Sequence, residues 1–199
     1  EVKKLNPSGI ILSGGPMSVY DDGAPNLDRE ILKLNIPVLG ICYGLQLICK
    51  FMGGKVEPAE NREYGKAIFK VISSDELLAE INNSSIVWMS HGDYLTDLPD
   101  DFVVTGKSDD SPICSVANYK KKIFGLQFHP EVVHTEEGEK ILHNFLYNIC
   151  KCKGNWTPKN FIEESILKIK STVGDSNVVC ALSGGVDSTV AAVLVKRAA

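Results

Sequence analysis

The first part of the chain alternates between short apolar runs and segments with helical spacing. The apolar runs end at glycines or a proline, as expected of buried strands that lead into tight loops. The helical segments place apolar residues three or four positions apart, and the second is closed by a Gly-Gly pair. The predicted order is strand 9–13, helix 26–35, strand 37–41 and helix 45–52. Such an order is typical of parallel α/β winding.

The middle of the chain changes to short strand-like segments separated by turn-rich stretches. They cover residues 66–72, 86–89, 102–107, 113–118 and 123–128. The last two flank the turn 119–122 and predict a hairpin. Residues 136–150 return to helical spacing and predict a helix that closes the first domain.

A second domain is predicted to begin near the end of the chain. Residues 151–158 have the lysine, glycine, asparagine and proline content of a linker. Helix 159–170, strand 177–182, a glycine loop and a helix from Asp187 onward follow. We therefore expect one domain at 1–150, a linker at 151–158 and the first part of another domain at 159–199. The chain starts without methionine and stops within a helix, so we expect it to be a fragment.

Composition excludes several classes of protein. Of 199 residues, 44% are hydrophobic and 23% charged, which is a globular balance, and we find no signal peptide and no apolar run near the length of a membrane span. A net charge of -4 without a basic stripe gives no reason to expect nucleic-acid binding. The six cysteines are irregularly spaced, which favours reduced thiols in the cytoplasm. Cys150 and Cys152 lack a second ligand pair at metal spacing, so no tightly bound metal is expected.

The first candidate for chemistry is Cys42, flanked by Gly40 and Gly44. It follows a predicted strand and opens a predicted helix, which is the context of a nucleophile elbow. The helix N-terminus and a neighbouring imidazole are expected to favour the thiolate there. On the elbow alone, a buried structural thiol stays an equal alternative.

His129 and Glu131 are the candidates for base and orienting carboxylate. A predicted strand ends at His129, and residues two apart at a strand end can project to one side. Glu131 could then hold the imidazole while the ring exchanges a proton with Cys42. His91, which also ends a predicted strand, is the alternative base.

Backbone N–H groups near Cys42 could form an oxyanion hole. The run Gly14-Gly15-Pro16 offers unhindered amides, and the N–H of Tyr43 lies at the helix start behind the nucleophile.

Three motifs together resemble the class I, triad-type glutamine amidotransferases: Ser13-Gly-Gly-Pro16, Gly40-Ile-Cys-Tyr-Gly-Leu-Gln46 and Phe128-His-Pro-Glu131. The resemblance covers nearly all of residues 1–150. The resemblance implies an α/β fold with a mixed, mostly parallel sheet flanked by helices. The chain lacks the strand and helix with which such domains usually begin. The implied roles are Cys42 nucleophile, His129 acid/base and Glu131 orienter, with Gly15 and Tyr43 as oxyanion donors. The implied glutamine contacts are Gly14, Gln46, Ser90, His91 and Asp93.

The run Ser183-Gly-Gly-Val-Asp-Ser188 follows a predicted strand and enters a helix, so its amides would face an anion. It is not a Walker A loop. A Gly-Gly turn capped by Asp or Ser is the structural alternative. The run is similar to the PP-loop of N-type ATP pyrophosphatases, which implies ATP binding, with Mg²⁺ near Asp187. The implied contacts are Ser183, Gly184, Gly185, Val186, Asp187, Ser188 and Thr189.

The two motif sets in one chain resemble enzymes that use glutamine and ATP to convert xanthosine monophosphate to GMP. The stretches Arg62-Glu-Tyr-Gly65, Trp88-Met-Ser-His-Gly-Asp93 and Trp156-Thr-Pro158 match the same enzymes. A homodimer through a later region is implied, and the xanthosine monophosphate site is expected there too. Amidotransferases for carbamoyl phosphate, CTP or anthranilate lack the second loop, and NAD synthetase lacks the His-x-Glu pair. A non-catalytic domain of this family would usually lose the cysteine or the histidine, and both are present.

Overall fold

The computed structural model of the chain describes residues 2–74 and 76–199, and of residues 59–62 the backbone only. The Arg62 side chain of the Arg62-Glu-Tyr-Gly65 match therefore lies outside the described residues. The chain divides into two compact units, Glu1–Cys152 and Lys153–Ala199. The assignment of these units to two functional domains stays a prediction.

The first unit is built on a mixed sheet, which counts seven strands among the described residues, in the order β1-β2-β7-β6-β5-β3-β4. The strands are β1 (Ile10–Leu12), β2 (Val38–Ile41), β3 (Lys55–Val71), β4 (Ser84–Asp97), β5 (Val103–Lys107), β6 (Ser115–Asn118) and β7 (Ile123–Leu126). The α/β class and the mixed sheet with flanking helices are confirmed. The hairpin predicted around residues 119–122 is confirmed as the antiparallel pair β6–β7.

Among the strands that the structure describes, parallel pairing is confined to β1, β2 and β7, and the other four pairings are antiparallel. The sheet was expected to be mostly parallel, and this expectation is corrected: most of its strand pairs are antiparallel. Short connections such as the turn between β6 and β7 permit only antiparallel neighbours, because a parallel crossover needs a dozen or more residues.

The helices of the first unit are α1 (Val2–Leu5), α2 (Tyr43–Met52) and α3 (Gly138–His143). The helix predicted over 26–35 is a shorter 3-10 helix, Arg29–Lys33, whose N-cap Asp28 accepts a hydrogen bond from the Glu30 N–H. A second 3-10 helix covers Glu76–Leu78. The helix predicted over 136–150 is α3 followed by a π-helix, Asn144–Ile149. There the Asn144 amide donates to the carbonyls of Leu77 and Ala79, which ties this segment to the 3-10 turn.

The pairing of β2 with β7 decides where the site forms. Every residue of both strands is buried, as expected for central strands covered on both faces. Ile41 pairs with Leu126, so these parallel strands end side by side. The residues that follow β2 and those that follow β7 therefore meet at one edge of the sheet.

The long hairpin of β3 and β4 forms the other wall of this edge. A register shift between Pro58 and Glu63 re-aims β3 and places Glu63 opposite His91. The His129 N–H donates to the Trp88 carbonyl at 3.0 Å, which joins the segment after β7 to β4.

The second unit contains the helices α4 (Pro158–Val173) and α5 (Val186–Ala198). Helix α4 begins with Pro158 after Thr157, whose hydroxyl accepts from the Asn160 N–H at 3.2 Å. The strand predicted over 177–182 is wrong for this structure: the described residues of this unit contain no strand. A strand needs a neighbour for its backbone groups, and Val179 is instead 97% exposed.

Candidate active site at the carboxyl ends of β2 and β7

Cys42 lies in the turn between β2 and α2 with a backbone conformation that is unusual for a residue other than glycine. Its φ is 50° and its ψ is -107°. The Cys42 N–H donates to the Leu126 carbonyl at 2.7 Å, and the Cys42 carbonyl accepts from the Gln46 N–H at 3.1 Å. Such a conformation costs on the order of 1–3 kcal/mol and persists only where the surroundings impose it. It presents the thiol at the start of α2, as the elbow motif predicts.

The flanking glycines are required by close approach. A Cβ on Gly40 would lie 2.6 Å from the Leu45 nitrogen, and one on Gly44 would collide with the Leu12 carbonyl oxygen. The two glycines therefore let α2 start directly against β1 and β2, while the strained dihedrals fall on Cys42 itself.

His129 and Glu131 form the pair that the sequence predicted. Nδ1 of His129 donates to Oε1 of Glu131 at 2.7 Å, which leaves Nε2 as the nitrogen available for proton exchange. The carbonyl of His129 accepts from the Thr135 hydroxyl at 2.6 Å. Gly14 lies against the ring, because a Cβ there would come within 2.7 Å of the ring carbon Cε1.

One cavity of about 670 Å³ collects most of the predicted site residues. Seven predicted residues line it: Gly15, Cys42, Gln46, Ser90, His91, Asp93 and His129. Gly14 lies beside the cavity and contacts the His129 ring, and Glu131 is connected to the cavity through its hydrogen bond to His129. The nucleophile and the base thus face one space of a size suited to a small polar substrate.

The thiol of Cys42 is expected to be protonated in the free protein. Burial raises the pKa of Cys42 to about 11, against the lowering effect of the Tyr43 backbone N–H, and Glu131 raises this pKa further. The sulfur lies 3.6 Å from the Ser90 carbonyl, which can accept only from the S–H form. The helix start therefore lowers this pKa, as expected, but the desolvation of a charged sulfur outweighs that effect. A base must therefore remove the proton during reaction.

Tyr43 and Gly15 pack against each other beside the nucleophile. A Cβ on Gly15 would lie 3.3 Å from the Tyr43 ring, and the Tyr43 hydroxyl donates to the Pro25 carbonyl. The buried ring anchors the start of α2, whose first N–H points at the sulfur. Their role as oxyanion donors stays a prediction.

His91 is held in a way that rules against it as the base. Its Nδ1 lies 3.0 Å from the Asp93 carbonyl and its Nε2 lies 3.1 Å from Oε2 of Glu63. The His91 side chain is 4% exposed. With both nitrogens engaged by oxygens, the ring has no free nitrogen for a reacting thiol. Of the two candidate bases, the structure favours His129.

Sequence reasoning missed two polar residues of this network, Gln127 and Glu63. Gln127 is fully buried, and its side chain lies between Cys42 and Gln46. A polar residue inside the apolar run 123–128 was the available signal. Glu63 lies in the stretch Arg62-Glu-Tyr-Gly65, but its role could not be predicted, because only the register of β3 against β4 brings it to His91.

In the loop that precedes α5 in the second unit, the serine and threonine hydroxyls form hydrogen bonds within the loop. Ser183 Oγ lies 3.1 Å from Ser188 Oγ, and Thr189 donates to the Gly185 carbonyl at 2.8 Å. Gly184 has a φ of 79°, which favours glycine. Val186 and Asp187 are the first residues of α5. ATP binding by residues 183–189 stays a prediction.

The described part of the chain contains no group of three or more His, Cys, Asp or Glu side chains that could hold a metal ion. Nor does any helix in residues 2–74 or 76–199 have the length and apolar character needed to cross a membrane.

Comparison with known proteins agrees with this geometry. The profile of the family "Glutamine amidotransferase class-I" matches residues 1–149. A solved structure of a glutamine amidotransferase from Thermotoga maritima is similar, with a TM-score of 0.58 and 29% identity. That similarity covers 79% of this chain and 69% of the other.

Two curated relatives bear the name GMP synthase (glutamine-hydrolyzing). The protein from Carboxydothermus hydrogenoformans is 53% identical over 198 residues, which are 100% of this chain and 39% of that protein. The protein from Brachyspira hyodysenteriae is 51% identical over 197 residues, which are 99% of this chain and 38% of that protein. The chain therefore spans about two fifths of the length of these relatives. With the family profile matching most of its residues, the chain belongs to the class-I glutamine amidotransferase family.

Proposed function

We propose that this chain hydrolyses the side-chain amide of glutamine, with Cys42 as nucleophile, His129 as acid and base, and Glu131 as the carboxylate that orients His129. One observation carries the proposal: the strained elbow thiol and the imidazole bound to Glu131 line the same cavity. Nucleophile, base and orienting group are the parts that covalent acyl transfer requires.

The reaction then proceeds in two halves. His129 Nε2 takes the Cys42 proton as the sulfur attacks the amide carbon, and the N–H groups of Gly15 and Tyr43 stabilise the oxyanion. His129 returns the proton to the leaving nitrogen and the C–N bond breaks. Ammonia departs, and a γ-glutamyl thioester remains on Cys42. His129 next takes a proton from water, whose oxygen attacks the thioester carbon. The C–S bond breaks, glutamate leaves, and the sulfur regains its proton.

The cavity supplies groups for the amino-acid end of glutamine. The Asp93 carboxylate can pair with the α-ammonium group, and Gln46 Oε1 can accept an N–H, since the Gln46 amide nitrogen is already bound to the Asp93 carbonyl at 2.9 Å. Ser90 and Gly14 complete the wall beside the reacting atoms, and His91 holds this wall in shape.

We further propose that the whole protein uses the released ammonia to make GMP from xanthosine monophosphate. ATP would adenylate the base oxygen, and ammonia would displace AMP. Support comes from the relatives' name and from the residue types at 183–189, whose amides, hydroxyls and Asp187 carboxylate suit phosphates and Mg²⁺. The same proposal includes a cytoplasmic homodimer that forms through a region after Ala199.

The test uses the full-length protein with Cys42→Ala. GMP formation from glutamine should fall by a factor on the order of 10³ or more, because the covalent nucleophile is lost. Formation from added ammonium salt should persist. Cys152→Ala, which removes a thiol outside the cavity, should retain both activities and serves as the control. Equal loss with glutamine and ammonium in Cys42→Ala would contradict the assignment.

A further inference from the structure

Gln127 places a fully buried amide beside the nucleophile. Its Nε2 lies 3.7 Å from Cys42 Sγ, and its side chain is 0% exposed. The backbone N–H of Gln127 donates to the Cys114 carbonyl at 2.7 Å, so the strand end is held without the side chain. The buried amide therefore needs a reason other than the course of the backbone.

The direction of this amide follows from a chain of hydrogen bonds that begins at a backbone carbonyl. The Asp93 carbonyl can only accept, so Gln46 must present Nε2 to it, at 2.9 Å. The second N–H of Gln46 faces Gln127 at 3.5 Å, which requires Oε1 of Gln127 on that side. The remaining group of Gln127, its NH₂, is then directed at the sulfur of Cys42.

The same carbonyl is fixed from its other side. His91 Nδ1 donates to it at 3.0 Å, and His91 Nε2 binds Oε2 of Glu63 at 3.1 Å. Oε1 of Glu63 accepts from the Ser108 hydroxyl at 3.4 Å. Because the side chains of His91 and Glu63 are largely buried, the Asp93 carbonyl has little freedom to turn away. The direction of the hydrogen bonds from Asp93 through Gln46 to Gln127 is therefore preserved.

We propose that Gln127 is a positioning residue for the nucleophile: its N–H, oriented through Gln46 and the Asp93 carbonyl, stabilises the Cys42 thiolate that forms as glutamine is attacked. The inference rests on the proposed function, in which Cys42 is the nucleophile. The Ser90 carbonyl binds the protonated sulfur at 3.6 Å and Gln127 binds the ionised one. The sulfur thus exchanges one partner for the other and keeps its place during proton transfer.

The direction in which Gln127 changes the pKa of Cys42 follows from the structure. Burial raises the pKa of the Cys42 thiol to about 11, and the Gln127 hydrogen bond opposes this. Loss of the N–H should therefore raise that pKa further and reduce the thiolate present at any pH below it. A role confined to packing would leave the pH dependence of thiol reactivity unchanged.

The experiment compares Gln127→Glu and Gln127→Met with the unchanged full-length protein. Glutamate matches the shape of the Gln127 side chain but cannot donate a hydrogen bond when ionised. Methionine removes the N–H donor without adding charge. We expect the rate of Cys42 alkylation by iodoacetamide near pH 8 to fall about tenfold or more, since one pKa unit changes the thiolate fraction tenfold. The glutaminase kcat should fall with it while KM changes little.

Asn118→Asp is the matched control, because it changes another fully buried amide to a carboxylate in the neighbouring strand β6. Its alkylation profile should match that of the unchanged protein. If Gln127→Glu does not fold, Gln127→Met decides. Profiles of the folded Gln127 variants that coincide with the unchanged protein would overturn the inference. Failure of the proposed function is distinct: Cys42→Ala would then retain glutaminase activity.

Discussion

Nδ1 of His129 lies 2.7 Å from Oε1 of Glu131, across a strand end where the two residues are separated by one proline. The contact fixes the ring tautomer, because a carboxylate oxygen can only accept. Nε2 is then the nitrogen that meets substrate protons, which ties the activity of the base to a carboxylate that is itself 47% exposed.

Glu131→Gln tests this relationship. The amide can present its NH₂ to Nδ1 and stabilise the wrong tautomer, so we expect the glutaminase kcat to fall about 10²-fold or more with little change in KM. Glutamate release at saturating glutamine measures it. In the full-length protein, ammonia-dependent synthesis should be retained. An unchanged kcat would remove Glu131 from the site.

Gly14→Ala tests the packing of the base. The added Cβ would lie 2.7 Å from the His129 ring carbon Cε1, and the ring or the loop must shift. We expect kcat to fall at least tenfold, because a displacement of about 1 Å can cost 10²-fold in a positioned reaction. The neighbouring change Ser13→Ala, at an exposed position, should have little effect. Full activity of Gly14→Ala would show that the ring tolerates displacement.

Glu63→Gln tests the buried pair behind the cavity. Removing one partner from a buried hydrogen bond typically costs about 1–3 kcal/mol of stability. Urea unfolding measures the loss. The exposed pair of Lys120 and Asp101 is the comparison, since Lys120→Ala should leave the stability nearly unchanged. Similar losses for the two variants would mean that the contact between Glu63 and His91 is not needed for stability.

Cys49→Ser tests the alkaline stability of the first unit. Burial raises the pKa of Cys49 from its ordinary value of 9.0 to about 12. Below pH 9 the thiol is protonated in both states and its contribution to stability is complete. As pH rises from 9 toward 12, the unfolded thiol ionises first and stability falls by up to about 1.4 kcal/mol per pH unit. The serine variant should show a shallower fall as the pH rises above 9 in unfolding experiments. Parallel curves would contradict the shift.

Asp187→Ala tests the second unit in the full-length protein. Pyrophosphate release with ATP, xanthosine monophosphate and ammonia should be lost, because a carboxylate at the start of α5 is the candidate partner of Mg²⁺. Glutaminase activity should persist, since Asp187 lies outside the unit that contains Cys42. Undiminished pyrophosphate release would remove Asp187 from the proposed ATP site.

The local motifs of the site could be predicted because their chemistry depends on near neighbours in sequence. The elbow needs glycines two positions either side of Cys42, and the spacing of His129 and Glu131 allows one to orient the other. The buried strands β2 and β7 were recognisable from their continuous apolar runs. The predicted strand over 177–182 failed because a strand forms only with a partner, which the described residues of the second unit do not supply.

The sequence by itself therefore determined the family, the thiol and its partners, and the strands that deliver them. Only the tertiary structure decided which histidine is free. His91 and His129 both end predicted strands, and the difference between them is the Glu63 carboxylate, brought to His91 by a register shift between two distant strands. The protonation of Cys42 and the direction of the Gln127 amide were decided in the same way. Each depends on burial and on carbonyls from residues 48 or more positions away from Cys42, and no local pattern of residues reports such distances.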